Sequence, residues 1–252
     1  MALAVGALAP ATAAAQIVNV QGALSKPPTK DGVIGQVELK VDWREGNNRL
    51  LDLGAAGSVI VRRGRLLALA IARGELATSA GTTFKQRTFE HVRARVRLDA
   101  HWKWEVFSQH ELDRFRRLTV RALAGTGPAF QIVNSDAVSV LAGVSYMLEY
   151  EQLDDRDGAP DAGARYVNHR ASAYLTGQQR LGETVAVIQT VYVQPRIDDP
   201  RDVRLLGELA LTSKLTRHLA LTDGLTVAYD HTPPAGIKRA DLQLRLALLI
   251  TF

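Results

Sequence analysis

The carboxy-terminal stretch constrains the fold most. Leu242, Leu244, Leu246, Leu248, Ile250 and Phe252 alternate with Asp241, Gln243, Arg245, Ala247 and Thr251, and Leu249 is the exception. Successive side chains of an extended chain point to opposite sides, so period two over this length predicts a strand with one apolar and one polar face. The pattern recurs upstream. Val37, Leu39, Val41 and Trp43 oppose Gln36, Glu38, Lys40 and Asp42, and Val92, Ala94, Val96 and Leu98 oppose Arg93, Arg95, Arg97 and Asp99. Val140, Val144, Tyr146, Leu148 and Tyr150 oppose Ser139, Gly143, Ser145, Glu149 and Glu151. Two stretches are less regular: Leu66 to Ile71 is apolar on both sides, and Val185 to Val193 mixes.

Polar, Gly-rich or Pro-rich breaks divide this pattern into about twelve segments. They fall at 34–43, 50–61, 66–77, 87–98, 102–112, 118–130, 136–151, 166–178, 184–195, 202–214, 218–229 and 238–252. A tilted strand crosses a bilayer core in ~9–11 residues, and these segments match or exceed that length. No run approaches the ~18 apolar residues that a spanning helix needs. Short breaks at 62–65, 99–101, 180–183 and 215–217 alternate with longer ones at 76–86, 152–165, 196–201 and 230–237. Breaks 44–49 and 113–117 are short for the longer class. Backbone groups in lipid must all be paired, which requires an antiparallel sheet to close on itself. The expectation is an all-β fold, a closed antiparallel transmembrane β-barrel of about twelve strands in an up-and-down meander over residues 33–252.

The amino terminus fits export. Residues 1–15 are small and apolar, with Pro10 as a breaker and Ala13-Ala14-Ala15 before Gln16, the small-residue pattern of a cleaved signal peptide, although no Lys or Arg precedes the run. Residues 16–32, with Pro27-Pro28 and Asp31-Gly32, read as a flexible leader. Leu248, Ile250 and Phe252 form an apolar strand face ending in an aromatic carboxy terminus, the feature that outer-membrane assembly machinery would take up by strand addition. Trp43, Trp102, Trp104, Tyr146, Tyr150, Tyr229 and Phe252 lie near strand ends, where a lipid–water boundary favours amphipathic rings. The expected location is the bacterial outer membrane, with its lipid and its assembly machinery as partners.

From about Gly35 to Phe252 the chain resembles the salt-induced outer-membrane (YdiY-like) family of unknown function. The resemblance is carried by Val37-Glu38-Leu39 with Glu45-Gly46-Asn47-Asn48, and by Trp104-Glu105-Val106-Phe107 with Glu111-Leu112-Asp113-Arg114-Phe115 and Gly125-Thr126-Gly127. Pro233-Pro234-Ala235-Gly236-Ile237-Lys238-Arg239-Ala240-Asp241 leads into the last strand in the same way. Asn48 stands where the family usually has Thr, and Leu246 or Ala247 stands in the region of a usual Gly. The resemblance implies an outer-membrane barrel and a link to salt or osmotic stress. It implies no catalytic residues.

Little in the sequence points to catalysis. The chain has no cysteine, which excludes thiolate chemistry and disulfides. None of its six histidines has zinc-helix spacing, and His110-Glu111 lacks the second His of the metalloprotease motif because Arg114 stands there. There is no nucleophile elbow or phosphate loop. Ser108 and His110, two apart on one strand face, are the nearest approach to a hydrolase pair. Asp154-Asp155 and Asp198-Asp199 read as solvated loop tips. The 31 basic and 26 acidic residues leave a net charge of +5, but the basic residues are scattered and not in a stripe, which argues against nucleic acid. No enzyme activity, cofactor or metal is expected.

A barrel carries its function in its lumen or loops. The expected lumen residues are Glu38, Lys40, Asp42, Arg93, Arg95, Arg97, Lys103, Glu105, Glu111, Arg121, Glu149, Glu151, Arg170, Glu208 and Arg245. Paired charges would fill the barrel. Unpaired ones would line a narrow channel, and the Arg93/Arg95/Arg97 row points to anions. Two other readings are a barrel hydrolase acting on lipid or peptide, which needs a His–Ser or His–Asp cluster at the lumen or rim, and a soluble periplasmic ligand binder, which needs an apolar interior under a polar exterior.

Overall fold

The computed structural model describes residues 17, 19–25, 28, 30–46, 49–216 and 219–250. The signal-peptide stretch and Phe252 lie outside these residues, as do the side chains of Leu248 and Ile250.

Twelve strands follow one another: β1 (Gly32–Arg44), β2 (Leu50–Arg63), β3 (Leu66–Ser79), β4 (Thr82–Arg97), β5 (Trp102–Asp113), β6 (Leu118–Asn134), β7 (Val138–Leu153), β8 (Arg165–Leu181), β9 (Val185–Pro195), β10 (Val203–Lys214), β11 (Leu219–Asp230) and β12 (Ala240–Ile250). Each pairs antiparallel with the next, in one sheet ordered β1 to β12. The expected all-β antiparallel meander is therefore present.

The connections alternate. Those after the even strands are short, with Gly64 and Gly182 at φ 56° and 70° in two of them. In the β4–β5 turn, Asp99 accepts hydrogen bonds from the His101 and Trp102 amides, both at 2.8 Å, which hold its carboxyl below the ordinary range. Connections after β7, β9 and β11 are longer, spanning 154–164, 196–202 and 231–239. The long break expected over 76–86 is a two-residue hairpin instead. Ala80 and Gly81 take φ 48° and 82°, and β3 and β4 pair out to Ser79 and Thr82. Positive φ at both central residues matches the twist of a tight hairpin. The polar run Thr82-Thr83 to Lys85-Gln86 is strand with polar side chains, not loop.

The sheet curls strongly. Neighbouring strands lie ~4.8 Å apart, so strands three apart in a flat sheet stand ~14 Å from each other, beyond side-chain hydrogen bonding. Yet the Tyr174 hydroxyl on β8 donates to Glu105 on β5 at 2.9 Å, and Arg204 on β10 reaches Glu149 on β7 at 2.7 Å. Arg116, after β5, meets Asp241 at the start of β12 at 2.5 Å. The concave face therefore encloses an interior.

Alternation sorts side chains by polarity in the inverse of a water-soluble protein. Val37, Leu39 and Val41 are 79%, 77% and 74% exposed, and Val106, Val144, Val191 and Leu244 also face out. Glu105 and Glu149 are wholly buried, with Arg93, Arg95, Arg121, Arg170 and Arg204 around them.

Part of the stretch read as a flexible leader lies inside the sheet. Ile17 packs with Leu141, Tyr174, Tyr192 and Leu206, while Val20 and Leu24 pack with Ile60, Leu67, Leu69, Ile71 and Phe89. Asn19 donates to Glu208 at 2.7 Å, and Arg95 donates to Gln21 at 2.9 Å. The reason is the hydrophobic effect: inward apolar positions of β2 to β4 need an apolar partner, and Val20 and Leu24 supply it, as Ile17 does for those of β7 to β10. The same contact explains why Leu66 to Ile71 is apolar on both faces.

Candidate functional site

The interior is the candidate site, and three levels can be distinguished along it. The first is a waist on β4 and β5. Arg93 and Arg95 sit two apart on β4, and both reach inward to Glu105 on β5. Arg93 Nη1 lies 2.7 Å from Glu105 Oε2, and Arg95 Nε lies 2.5 Å from Oε1. Tyr174 and Gln21 complete the layer through Glu105 and Arg95. The Arg93 guanidinium also covers the Phe107 ring at 4.5 Å, an added cation–π attraction. His91 faces Gln109 at 3.3 Å beside it.

The second level is a denser ion network on β5 to β11. Glu149 accepts from Arg121 Nη2 at 2.7 Å and from Arg204 Nη1 at 2.7 and 2.8 Å. Arg204 extends to Glu151 at 3.0 Å and Asp230 at 3.1 Å. Arg170 holds Asp202 at 3.1 Å, and Arg121 lies 3.5 Å from Glu111. Charges removed from water are tolerated when each finds opposite charge and hydrogen bonds. Each group here faces an opposite charge, although Glu111 Oε2, Arg121 Nη1 and Arg170 Nε are buried without a hydrogen bond.

The third level ties the longer loops together. Arg117, buried in the β5–β6 turn at φ 64°, binds Asp154 at 2.9 Å, Asp161, and the Ala235 carbonyl at 3.1 Å. The Ala235 amide donates to the other Asp161 oxygen at 2.7 Å. One guanidinium therefore joins the β5–β6, β7–β8 and β11–β12 connections. Partial burial pushes the Asp161 carboxyl up, but the Ala235 amide and Arg117 outweigh it and hold the group below the ordinary carboxylate range.

The short-turn end differs. A cavity of about 580 Å³ opens there, lined by Arg62, Arg65, Arg97, Lys103 and Arg180, with Arg95 at its floor and Asp136 as its acidic member.

The structure brings together Arg93, Arg95, Glu105, Glu111, Arg121, Glu149, Glu151 and Arg170 in the buried network, and Arg97 and Lys103 line the cavity. Glu208 meets the amino-terminal segment, and Arg245 is half-buried. Glu38, Lys40 and Asp42 stay out of the buried network, with Glu38 in electrostatic range of Arg73 and Arg245. They have the right parity, but β1 is exposed on both faces, and the Lys40 side chain is 54% exposed in its pair with Asp52. Burial needs walls on several sides, and an outermost strand has a hydrogen-bonded neighbour on one side only.

Sequence reasoning missed Arg117, Asp161, Asp202, Arg204 and Asp230 as interior or cap residues. Arg204 shares strand parity with Glu208, a signal that extending the face by two residues would have used. Arg117 and Asp161 sit in loops, where no period exists to read. Ser108 and His110 both face outward. His110 meets Glu90 at 2.8 Å, and among the described residues no hydrogen bond joins it to Ser108.

The chain is similar in fold to a solved NanC porin structure at 10% identity and TM-score 0.49, over 86% of this chain and 100% of that one. It is likewise similar to the translocator domain of the autotransporter NalP from Neisseria meningitidis at 14% identity and TM-score 0.44, over 92% of each chain. Among curated proteins, none matches. The family model described as "Protein of unknown function, DUF481" matches residues 37–252, in keeping with the resemblance read from the turn and strand motifs, and the chain belongs to that family.

Proposed function

We propose that this chain is a non-enzymatic bacterial outer-membrane β-barrel, exported through a cleaved signal peptide and closed where β12 meets β1. One observation carries the reading: the sheet is apolar outside and ionic inside, with Val37 79% exposed and Glu149 wholly buried. In water this arrangement is unfavourable on both faces. In a bilayer the outer face contacts acyl chains, and the inner charges satisfy one another. A soluble ligand binder needs the reverse polarity.

The lumen in this reading is a narrow small-solute path in a stopped state. Two stops lie in series, the Arg93–Glu105–Arg95 waist with its amino-terminal segment and the Arg117 loop tie. If the last strand ends in the periplasm, the basic cavity opens to the periplasm and the tied loops face outward. A role under salt or osmotic stress, implied by the family resemblance, is part of the proposal.

The test is gel mobility of detergent-folded protein with and without boiling, followed by conductance in a planar bilayer. The reading expects a heat-dependent shift and low conductance. A protein that stays soluble without detergent and shows no shift would sink it.

A further inference from the structure

We propose that the cavity at the short-turn end is a binding site for a small multivalent oxyanion, a solute bearing two or more phosphate or carboxylate groups. The cations come from separate elements and converge. Arg62 lies next to the end of β2, Arg65 in the β2–β3 turn, Arg97 at the end of β4, Lys103 next to the start of β5 and Arg180 near the end of β8. Their parity on each strand is that of the interior face.

What distinguishes these residues is the lack of a carboxylate partner. The interior arginines of the waist and network all have a carboxylate at hand. Among the described residues, none of Arg62, Arg65, Arg97, Lys103 or Arg180 forms an ion pair, and Asp136 is the one acid lining the cavity. The Lys103 ammonium donates to the neutral Gln131 amide oxygen, with Arg62, Arg95 and Arg97 in electrostatic range and Glu105 the one acid among them. Arg62 and Lys103 are half-buried, while Arg65, Arg97 and Arg180 are exposed at the mouth. Like charges gathered there repel, and a bound anion relieves that repulsion. Guanidinium groups suit oxygen pairs of phosphate and carboxylate.

Size and shape agree. About 580 Å³ lies within the ordinary range of small-molecule sites. Ser139, Gln178 and Asn134 on the wall offer neutral donors to a polar solute body. The floor is the closed waist, so a solute entering this mouth is held there. The cavity stands independently of the membrane reading; only the statement that it faces the periplasm rests on it.

The experiment is calorimetric titration of the folded protein in a zwitterionic detergent at low salt, with pyrophosphate and citrate as separate probes. Circular dichroism of each variant checks the fold. The wild type should bind at one site. Arg97→Gln and Arg180→Gln should each weaken binding roughly tenfold, while Arg97→Lys retains most of it. Arg44→Gln, outside the cavity, should change nothing. Stronger binding of one probe identifies phosphate or carboxylate as the preferred group. Absence of saturable binding to folded wild type overturns the proposal, as does equal affinity in the folded Gln variants. The titration reads the cavity whether or not the gel shift occurs, so its failure is separable from failure of the barrel reading.

Discussion

Arg204 and Glu149 face each other across the interior, three strands apart, with one guanidinium nitrogen 2.7 and 2.8 Å from the two carboxylate oxygens. Glu149 is also the acceptor for Arg121 and lies 3.6 Å from Arg170. Removing this single carboxylate leaves three guanidiniums short of charge in a closed space. Glu149→Ala should cost about 3–5 kcal/mol of stability, the usual penalty for breaking a buried ion pair from one side. Glu149→Gln, which keeps one acceptor oxygen, should cost less. Urea unfolding of lipid-reconstituted protein measures both, and an unchanged midpoint for the Ala variant would contradict the network.

A second prediction concerns close approach between β6 and β7. A Cβ on Gly127 would sit 2.6 Å from the Ser145 Cα, a backbone atom that cannot swing aside. Gly127→Ala should destabilise by about 1–3 kcal/mol, the range for overpacking. Gly224→Ala, which meets open space, is the matched control and should fall within about 0.5 kcal/mol of wild type.

The loop tie is sensitive to acid. Asp161 is ionised in the folded state with its pKa below the ordinary value, so its contribution is present above the unfolded carboxylate pKa and is lost as pH falls through the folded one. Amides in 154–164 and 231–239 should lose protection, relative to their intrinsic exchange rates, once pH drops below about 4. Asp161→Asn should show faster exchange already at neutral pH. Equal protection in the variant and wild type at neutral pH would remove Asp161 from the tie.

The amino-terminal segment should act as a stop. Val20 and Leu24 are buried in the cluster with Leu69 and Phe89, each contributing about 1.5–3 kcal/mol as an upper bound. Val20→Asp with Leu24→Asp should release the segment and raise single-channel conductance in planar bilayers. Conductance equal to wild type, with release of the segment shown by its proteolysis, would contradict a stop by the segment and leave the waist and the Arg117 tie as the obstructions.

The strand pattern was legible because a wall with exposed apolar side chains on one side and ions on the other repeats every two residues. Arg93, Arg95, Glu105, Arg121 and Glu149 were readable from that parity alone. The β3–β4 hairpin was not, because Thr82, Thr83, Lys85 and Gln86 carry polar side chains in a strand and resemble loop composition. The docking of Ile17, Val20 and Leu24 was also missed, although the doubly apolar stretch Leu66 to Ile71 was its trace: an inward apolar patch in an ionic interior requires a partner. The Arg117–Asp161 tie left no periodic mark, since it joins loops far apart in sequence. Glu38, Lys40 and Asp42 had the right parity but sit on an outermost strand, and parity says nothing about how many walls surround a residue.

The central claim is that the outward face contacts lipid. The chain lacks cysteine, so Val106→Cys and Val144→Cys each introduce one thiol, at outward positions that are 53% and 52% exposed. The variants are reconstituted in vesicles, labelled with a thiol-reactive fluorophore, and quenched with brominated lipid; Arg97→Cys, at the basic cavity, is the reference. The account predicts strong lipid quenching at 106 and 144 and little at 97. Equal, weak quenching at all three positions, with rapid reaction of the 106 and 144 thiols toward a water-soluble maleimide, would contradict it.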